Sequence, residues 1–110
     1  PLMMDVIKGL YEVALERKST KQEGSYTCYL FEQGLDKILK KCGEECSEVI
    51  IAAKNGKNED TANEICDLLY HLIVMMVESG ISMDEVEEIL EQRRQKIGNL
   101  KKFHVSDHES

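Results

Sequence analysis

The only proline in the chain is its first residue, so nothing from position 2 to position 110 is barred from a helix by a locked φ or a missing amide hydrogen. Apolar spacing turns that freedom into a prediction. Met4 to Arg17 carries Val6, Ile7, Leu10, Tyr11, Val13 and Ala14 at helical intervals. Leu35 to Asn55 has the clearest pattern, with Leu35, Ile38, Leu39, Cys42, Cys46, Val49, Ile50 and Ala53 along one face and Gly56 placed to end it. A third helix is predicted from a start between Asn58 and Thr61 to about Ser79, where Gly80 stops it. Thr61 and Glu64 have the spacing of a capping box, with Asn58 and Asp60 as alternative caps; Ser82 and Glu85 make a cleaner box that opens a last helix to about Gln95. Lys18 to Gly24 reads as a polar loop. Ser25 to Phe31 is expected to be an ordered loop or a helical turn ending at Gly34, because a lone short strand would have nothing to pair with. The fold class is therefore all-α: a bundle of four to five helices over residues 4–97, followed by a polar, loose tail over 98–110.

The third helix is apolar nearly all round, through Ile65, Leu68, Leu69, Leu72, Ile73, Val74, Met75, Met76 and Val77. A helix without a solvated face has to be covered on several sides, more than so small a bundle offers. A homodimer built through the central helices is the expected remedy.

The net charge of −7 leaves no electrostatic footprint for nucleic acid, and the absence of tryptophan removes the usual stacking platform for single strands. No apolar run reaches the roughly 20 residues that span a bilayer, so no membrane partner is expected. Cys28, Cys42, Cys46 and Cys66 lack the CxxC spacing of zinc and redox motifs and are expected to be buried free thiols. With no export signal, the cytoplasm is the expected compartment.

The chemistry lies in the acidic residues. At ~100° per residue, Glu45 and Glu48 share one flank of the second helix, with Lys41 between them in angle, while Glu44 points away from the core. Glu64 and Asp67 share a flank of the third helix, and His71 follows one turn later. Two i, i+3 carboxylate pairs on neighbouring helices would repel one another unless a cation intervened, and an all-oxygen set suits Mg²⁺, or Mn²⁺, rather than zinc or copper. The same glutamates also fit a solvated face paired with Lys37, Lys40, Lys41 and Lys54, so spacing alone leaves both readings open. A ferritin-like di-iron bundle is excluded, since it needs Glu-x-x-His pairs that this chain lacks.

The order Glu44-Glu45-x-x-Glu48, fifteen residues, then Glu64-x-x-Asp67 resembles the signature of the all-α (MazG-like) nucleoside triphosphate pyrophosphohydrolases. Within that superfamily, Gly24-Ser25-Tyr26-Thr27, Tyr29-Leu30-Phe31, Asp36-Lys37-Ile38-Leu39-Lys40-Lys41, Glu48-Val49-Ile50-Ile51-Ala52-Ala53-Lys54 and Asp67-Leu68-Leu69-Tyr70-His71-Leu72 resemble the phosphoribosyl-ATP pyrophosphohydrolase family of histidine biosynthesis. The resemblance runs from about Leu10 to Arg93. It implies Mg-dependent hydrolysis of phosphoribosyl-ATP to phosphoribosyl-AMP and pyrophosphate. It implies Glu45, Glu48, Glu64 and Asp67 as metal ligands and gives Glu44 a supporting or water-activating role. Lys37, Lys41 and Lys54 become candidates for phosphate contact, and Ser25 and Thr27 for a loop that closes over the substrate. His71 reads as a packing or supporting residue, and Arg17, Lys18 and Arg93 as possible contacts to the ribose phosphate. The rivals are a house-cleaning (deoxy)nucleotide pyrophosphohydrolase with the same acidic motif, and a non-catalytic helical dimerisation module.

Overall fold

The computed structural model describes residues 3–98, and all regular structure among them is helical. Five helices follow one another: α1 (Met3–Ser19), α2 (Tyr26–Gln33), α3 (Leu35–Lys54), α4 (Asn58–Ser79) and α5 (Met83–Gly98). The tail expected beyond Gly98 lies outside the described residues.

The α3–α4 hairpin is the most extensive packing in the chain, with α1 and α2 laid against it. Its core is where four helices meet. Leu30, Ile38 and Val74, from α2, α3 and α4, are fully buried, and Phe31, Tyr70 and Met75 pack around them. A second cluster joins Ala14 of α1 to Ile73 and Val77 of α4, with Ile7, Tyr11 and Phe31 against it. Phe31 touches both clusters, so α2, only 8 residues long, locks the two halves together.

That helix is the main departure from expectation. Ser25 to Phe31 is neither open loop nor single turn. Ser25 caps α2, its Oγ accepting from the Cys28 amide at 3.2 Å, and Thr27, Cys28 and Leu30 are buried on the inward face. Gly34 then turns α2 directly into α3 with φ 89° and ψ −177°, a conformation open in practice only to glycine.

The start of α4 also differs from the capping box proposed for it. Lys57 is the N-cap residue and supplies no side-chain bond, while Thr61 Oγ1 donates back to the Lys57 carbonyl at 3.0 Å. Thr61 thus sits inside the first turn, already helical, and Glu64 has no capping duty. The second box is present: Ser82 Oγ accepts from the Glu85 amide at 3.1 Å, and Glu85 Oε1 accepts from the Ser82 amide at 3.4 Å. Four of the five helices thus stand where periodicity placed them.

Helix α5 leaves α4 at a bend of 119° and touches the other helices lightly. Its hold is near its start: Met83 is buried, Lys8 pairs with Glu87 at 3.0 Å, and Tyr11 Oη donates to the Ile81 carbonyl at 2.9 Å just before it. Among the described residues no single helix is long and apolar enough to cross a membrane. All four cysteines are free, but only Cys28 is buried; Cys42 is half-buried, and Cys46 and Cys66 are exposed. The expectation of four buried thiols fails because the edge of the α3 stripe that carries Leu39, Cys46 and Ile50 faces outward within one chain, and Cys66 lies on an exposed side of α4.

Two substitutions probe this architecture by different routes. Leu30→Ala should lower the unfolding free energy by about 2–5 kcal/mol through the cavity it leaves. Gly34→Ala should cost about 1–3 kcal/mol through backbone strain alone, since a Cβ there meets nothing within 4 Å. Urea denaturation checks both, and an unchanged midpoint for Gly34→Ala would show that the α2–α3 pivot relaxes freely.

Candidate metal and phosphate site

The side-by-side placement of α3 and α4 brings Glu45, Glu48 and Glu64 together, with one oxygen from each within 4.8 Å of the others. Helical spacing puts Glu45 and Glu48 one turn apart on α3, and Glu64 faces them from the second turn of α4. Burial is uneven. Glu45 is only 6% exposed, Glu64 is half-buried and Glu48 lies at the solvent side. One oxygen of Glu45 and one of Glu64 are fully buried with no hydrogen-bond partner.

Such an arrangement costs free energy unless something compensates it, because a buried carboxylate without a partner loses its hydration. The acidities record that cost. Burial pushes the Glu45 carboxyl up from the ordinary carboxylate range; proton sharing with Glu48 and the charges of Glu48 and Asp67 add to the rise, and Lys41 opposes it. Glu64 is raised chiefly by sharing a proton with Glu48, then by burial and by the charges of Glu48, Asp67 and Glu45. Asp67 is thus felt electrostatically at the cluster, although its own carboxylate is exposed and stands outside the tight group of three.

Lys41 borders the cluster, one turn before Glu45. Its Nζ lies 3.8 Å from Glu45 Oε1 and 4.0 Å from Glu44 Oε2, so it bridges the buried carboxylate and the exposed one. Glu44 is outside the group of three, as its angular position predicted. Lys37 is half-buried one turn earlier on α3. Lys54 is exposed in the last turn of α3 and does not line the groove next to the carboxylates. That groove, about 320 Å³, runs from Glu48 and Glu64 toward the α3–α4 turn past Ile51, Asn55, Asp60 and Asn63.

The hydroxyls of Ser25 and Thr27 have structural settings: Ser25 caps α2, and Thr27 is 7% exposed. Between them, Tyr26 projects toward the site. Its phenol donates to His71 Nε2 at 2.9 Å, while His71 Nδ1 donates to the Asp67 carbonyl at 2.7 Å, which fixes the imidazole tautomer. His71 is therefore a buried brace between α2 and α4. Sequence reasoning missed Tyr26; its only trace was its place inside the Gly24-Ser25-Tyr26-Thr27 block. Arg17 lies beside Glu16 at 3.4 Å, Lys18 pairs with Glu78 at 3.0 Å, and Arg93 is exposed on α5.

What the arrangement can do is bind a hard cation. Three converging carboxylates, two with orphaned buried oxygens, match the oxygen-rich coordination of a divalent ion. Lys41 adds a positive charge at the edge of the cluster.

Known proteins resemble this chain over the whole stretch that builds the site. The family model for phosphoribosyl-ATP pyrophosphohydrolase matches residues 7–94, which takes in α2, α3 and α4 entire. A phosphoribosyl-ATP pyrophosphatase of Clostridium botulinum is 58% identical over 97 residues, covering 88% of each chain. The proteins of that name from Clostridium novyi and Streptococcus sanguinis are each 52% identical, over 98 and 103 residues, covering 89% and 94% of this chain and 89% and 99% of their own. Likeness of that extent across every element of the site makes the chain a member of the phosphoribosyl-ATP pyrophosphohydrolase family.

Proposed function

We propose that this protein hydrolyses phosphoribosyl-ATP to phosphoribosyl-AMP and pyrophosphate, the second step of histidine biosynthesis, with Mg²⁺ held by Glu45, Glu48, Glu64 and Asp67. The observation that carries the metal assignment is the pair of buried, unpartnered carboxylate oxygens on Glu45 and Glu64. Mn²⁺ suits the same oxygen set.

A bound divalent ion supplies Lewis-acid polarisation of a phosphoryl oxygen and acidifies a coordinated water. The remaining roles fall to side chains. Glu45, Glu48 and Glu64 supply the anionic cradle, and Asp67 completes it from the exposed edge. Lys41 and, one turn away, Lys37 offset the charge of the phosphate chain; a lysine acts there as a point charge. Glu44 lies beside Lys41 and outside the cradle; we assign it a supporting role, or that of taking the proton of the attacking water. Water adds at the α-phosphorus, the α–β anhydride bond breaks, and pyrophosphate leaves beside the lysines. The small nucleotide substrate and the four free thiols suit the cytoplasm.

We also propose that the working unit is a homodimer formed through the central helices. Leu39, Ile50 and Ile51 of α3 and Ile65 of α4 are 47%, 64%, 60% and 42% exposed in the single chain. A run of large apolar side chains along two neighbouring helices is more than a solvated surface carries comfortably. Analytical ultracentrifugation at micromolar concentration should give twice the chain mass of 12.6 kDa, and a monomeric mass would sink the dimer.

Pyrophosphate release from phosphoribosyl-ATP in Mg²⁺ buffer is the direct test, run beside ATP and a set of deoxynucleotides. Preference for a deoxynucleotide would turn the reading to the house-cleaning enzymes, and silence on every nucleotide to a dimerisation module. Glu48→Gln should reduce turnover by at least about a hundredfold with unchanged helical circular dichroism, because it removes a ligand at nearly constant volume; near-normal turnover would refute that role.

Protons and the cation compete for the same oxygens. Since burial and the neighbouring Glu48 push Glu45 and Glu64 above the ordinary carboxylate range, their carboxyls reprotonate at a higher pH than ordinary glutamates. Apparent Mg²⁺ affinity by calorimetry should therefore begin to fall above the usual carboxylate range as pH is lowered. A constant affinity down to pH 4.5 would place the ion elsewhere.

A further inference from the structure

Two exposed tyrosines stand together beside the carboxylate cluster. Tyr26 and Tyr29, one turn apart on α2, have ring centroids 6.1 Å apart with their planes inclined by 27°, a stacked pair. They are 46% and 41% exposed, an unusual setting for two large rings in a chain with so few aromatics. The pair is not loose. Tyr26 is held by its hydrogen bond to the buried His71, whose ring also meets it edge-on at 5.7 Å. Beside the pair runs a groove of about 430 Å³, bordered by Lys21, Gly24, Ser25 and Glu32 as well as by both rings.

The position of the pair relative to the metal site is given by Tyr26. Its phenol oxygen is 2.9 Å from His71 Nε2, and His71 Nδ1 is 2.7 Å from the Asp67 carbonyl, so the ring adjoins the carboxylate end of the site; the charges of Lys41, Glu45 and Glu44 reach the phenol as well. A nucleotide with its phosphate chain at Glu45 and Lys41 has two ways to run. One leads to the groove at the α3–α4 turn, where Asp60, Asn55 and Asn63 offer polar groups but no aromatic face. The other leads to the tyrosines. A flat, weakly hydrated base gains most against an aromatic surface that is already ordered.

We infer that Tyr26 and Tyr29 form the platform on which the adenine of the substrate stacks, with His71 as the residue that positions it. The hydrogen bond to His71 sharpens the role. Because the phenol proton is committed to Nε2, the Tyr26 oxygen faces the site as an acceptor, suited to a ribose hydroxyl or a base amine rather than to a phosphate oxygen. This inference rests on the nucleotide reading of the site given above, and it adds a base subsite to it.

The experiment compares KM for phosphoribosyl-ATP with the inhibition constant of Mg²⁺-pyrophosphate, a ligand without a base, in Tyr29→Ala, Tyr26→Ala and Tyr29→Phe. The alanine variants should raise KM about tenfold or more, with the pyrophosphate constant unchanged, and Tyr29→Phe should recover most of the loss. Equal weakening of both ligands would mean the variants disturb the fold or the phosphate end, and the platform would be overturned. So would an unchanged KM, or a selective rise in KM from Asn63→Ala with no effect of the tyrosines, which would move the base to the other groove. If the unaltered protein leaves phosphoribosyl-ATP intact, the functional reading fails before the platform is reached.

Discussion

Like charges have to be forced together before they can serve as a site, and here the force is apolar packing between α3 and α4. Glu45, Glu48 and Glu64 come within 4.8 Å of one another although Glu48 raises the cost of ionising both Glu45 and Glu64. What holds them is the same helix pair that buries Ile38 and Val74. The carboxylates occupy the end of the hairpin near its turn, while the fully apolar layers sit two turns away toward α2 and α1. Core and cluster are thus one lever seen at two points, and loosening the first opens the second.

Helix α2 converts this hairpin into a site with walls. It is short, and an isolated helix of 8 residues has little stability of its own in water. Its existence depends on what it touches: Leu30 and Phe31 in the core, a Ser25 cap at one end, a glycine pivot at the other. The Tyr26–His71–Asp67 chain of hydrogen bonds ties its first residue to the backbone that carries a carboxylate of the site. The first residue of α2 and the α4 backbone at Asp67 therefore meet at a single buried imidazole.

The same dependence explains which parts were legible in the sequence. Helices α1, α3, α4 and α5 have long apolar stripes, and their angular positions alone sorted Glu45 and Glu48 from Glu44 and aligned Glu64 with them. Helix α2 has no such stripe: Tyr26, Cys28, Tyr29, Leu30 and Phe31 crowd both faces, and only tertiary contact decides which turn inward. Tyr26 was hidden for that reason, while its polar neighbours Ser25 and Thr27 drew attention by their hydroxyls. The Thr61 cap failed differently. Threonine three residues before a glutamate satisfies the pattern, but helix entry at Asn58 leaves Thr61 bonded backward to Lys57. Exposure of Cys46 lay beyond any single-chain reading, since a stripe on α3 says that a face is apolar without saying which molecule covers it.

The lightly held α5 gives the protein two energetic neighbourhoods. Its contacts gather in its first half, around Met83 and Glu87 and at the Ile81 carbonyl just before it, and its far half carries Ile97 at 78% exposure. Opening that half would sacrifice few contacts and would leave α2, α3 and α4 undisturbed. Sequence drift in the outer half of α5 can therefore alter what the molecule meets at its edge while the reacting centre stays rigid. Chemistry and surface can evolve on separate clocks within one small domain.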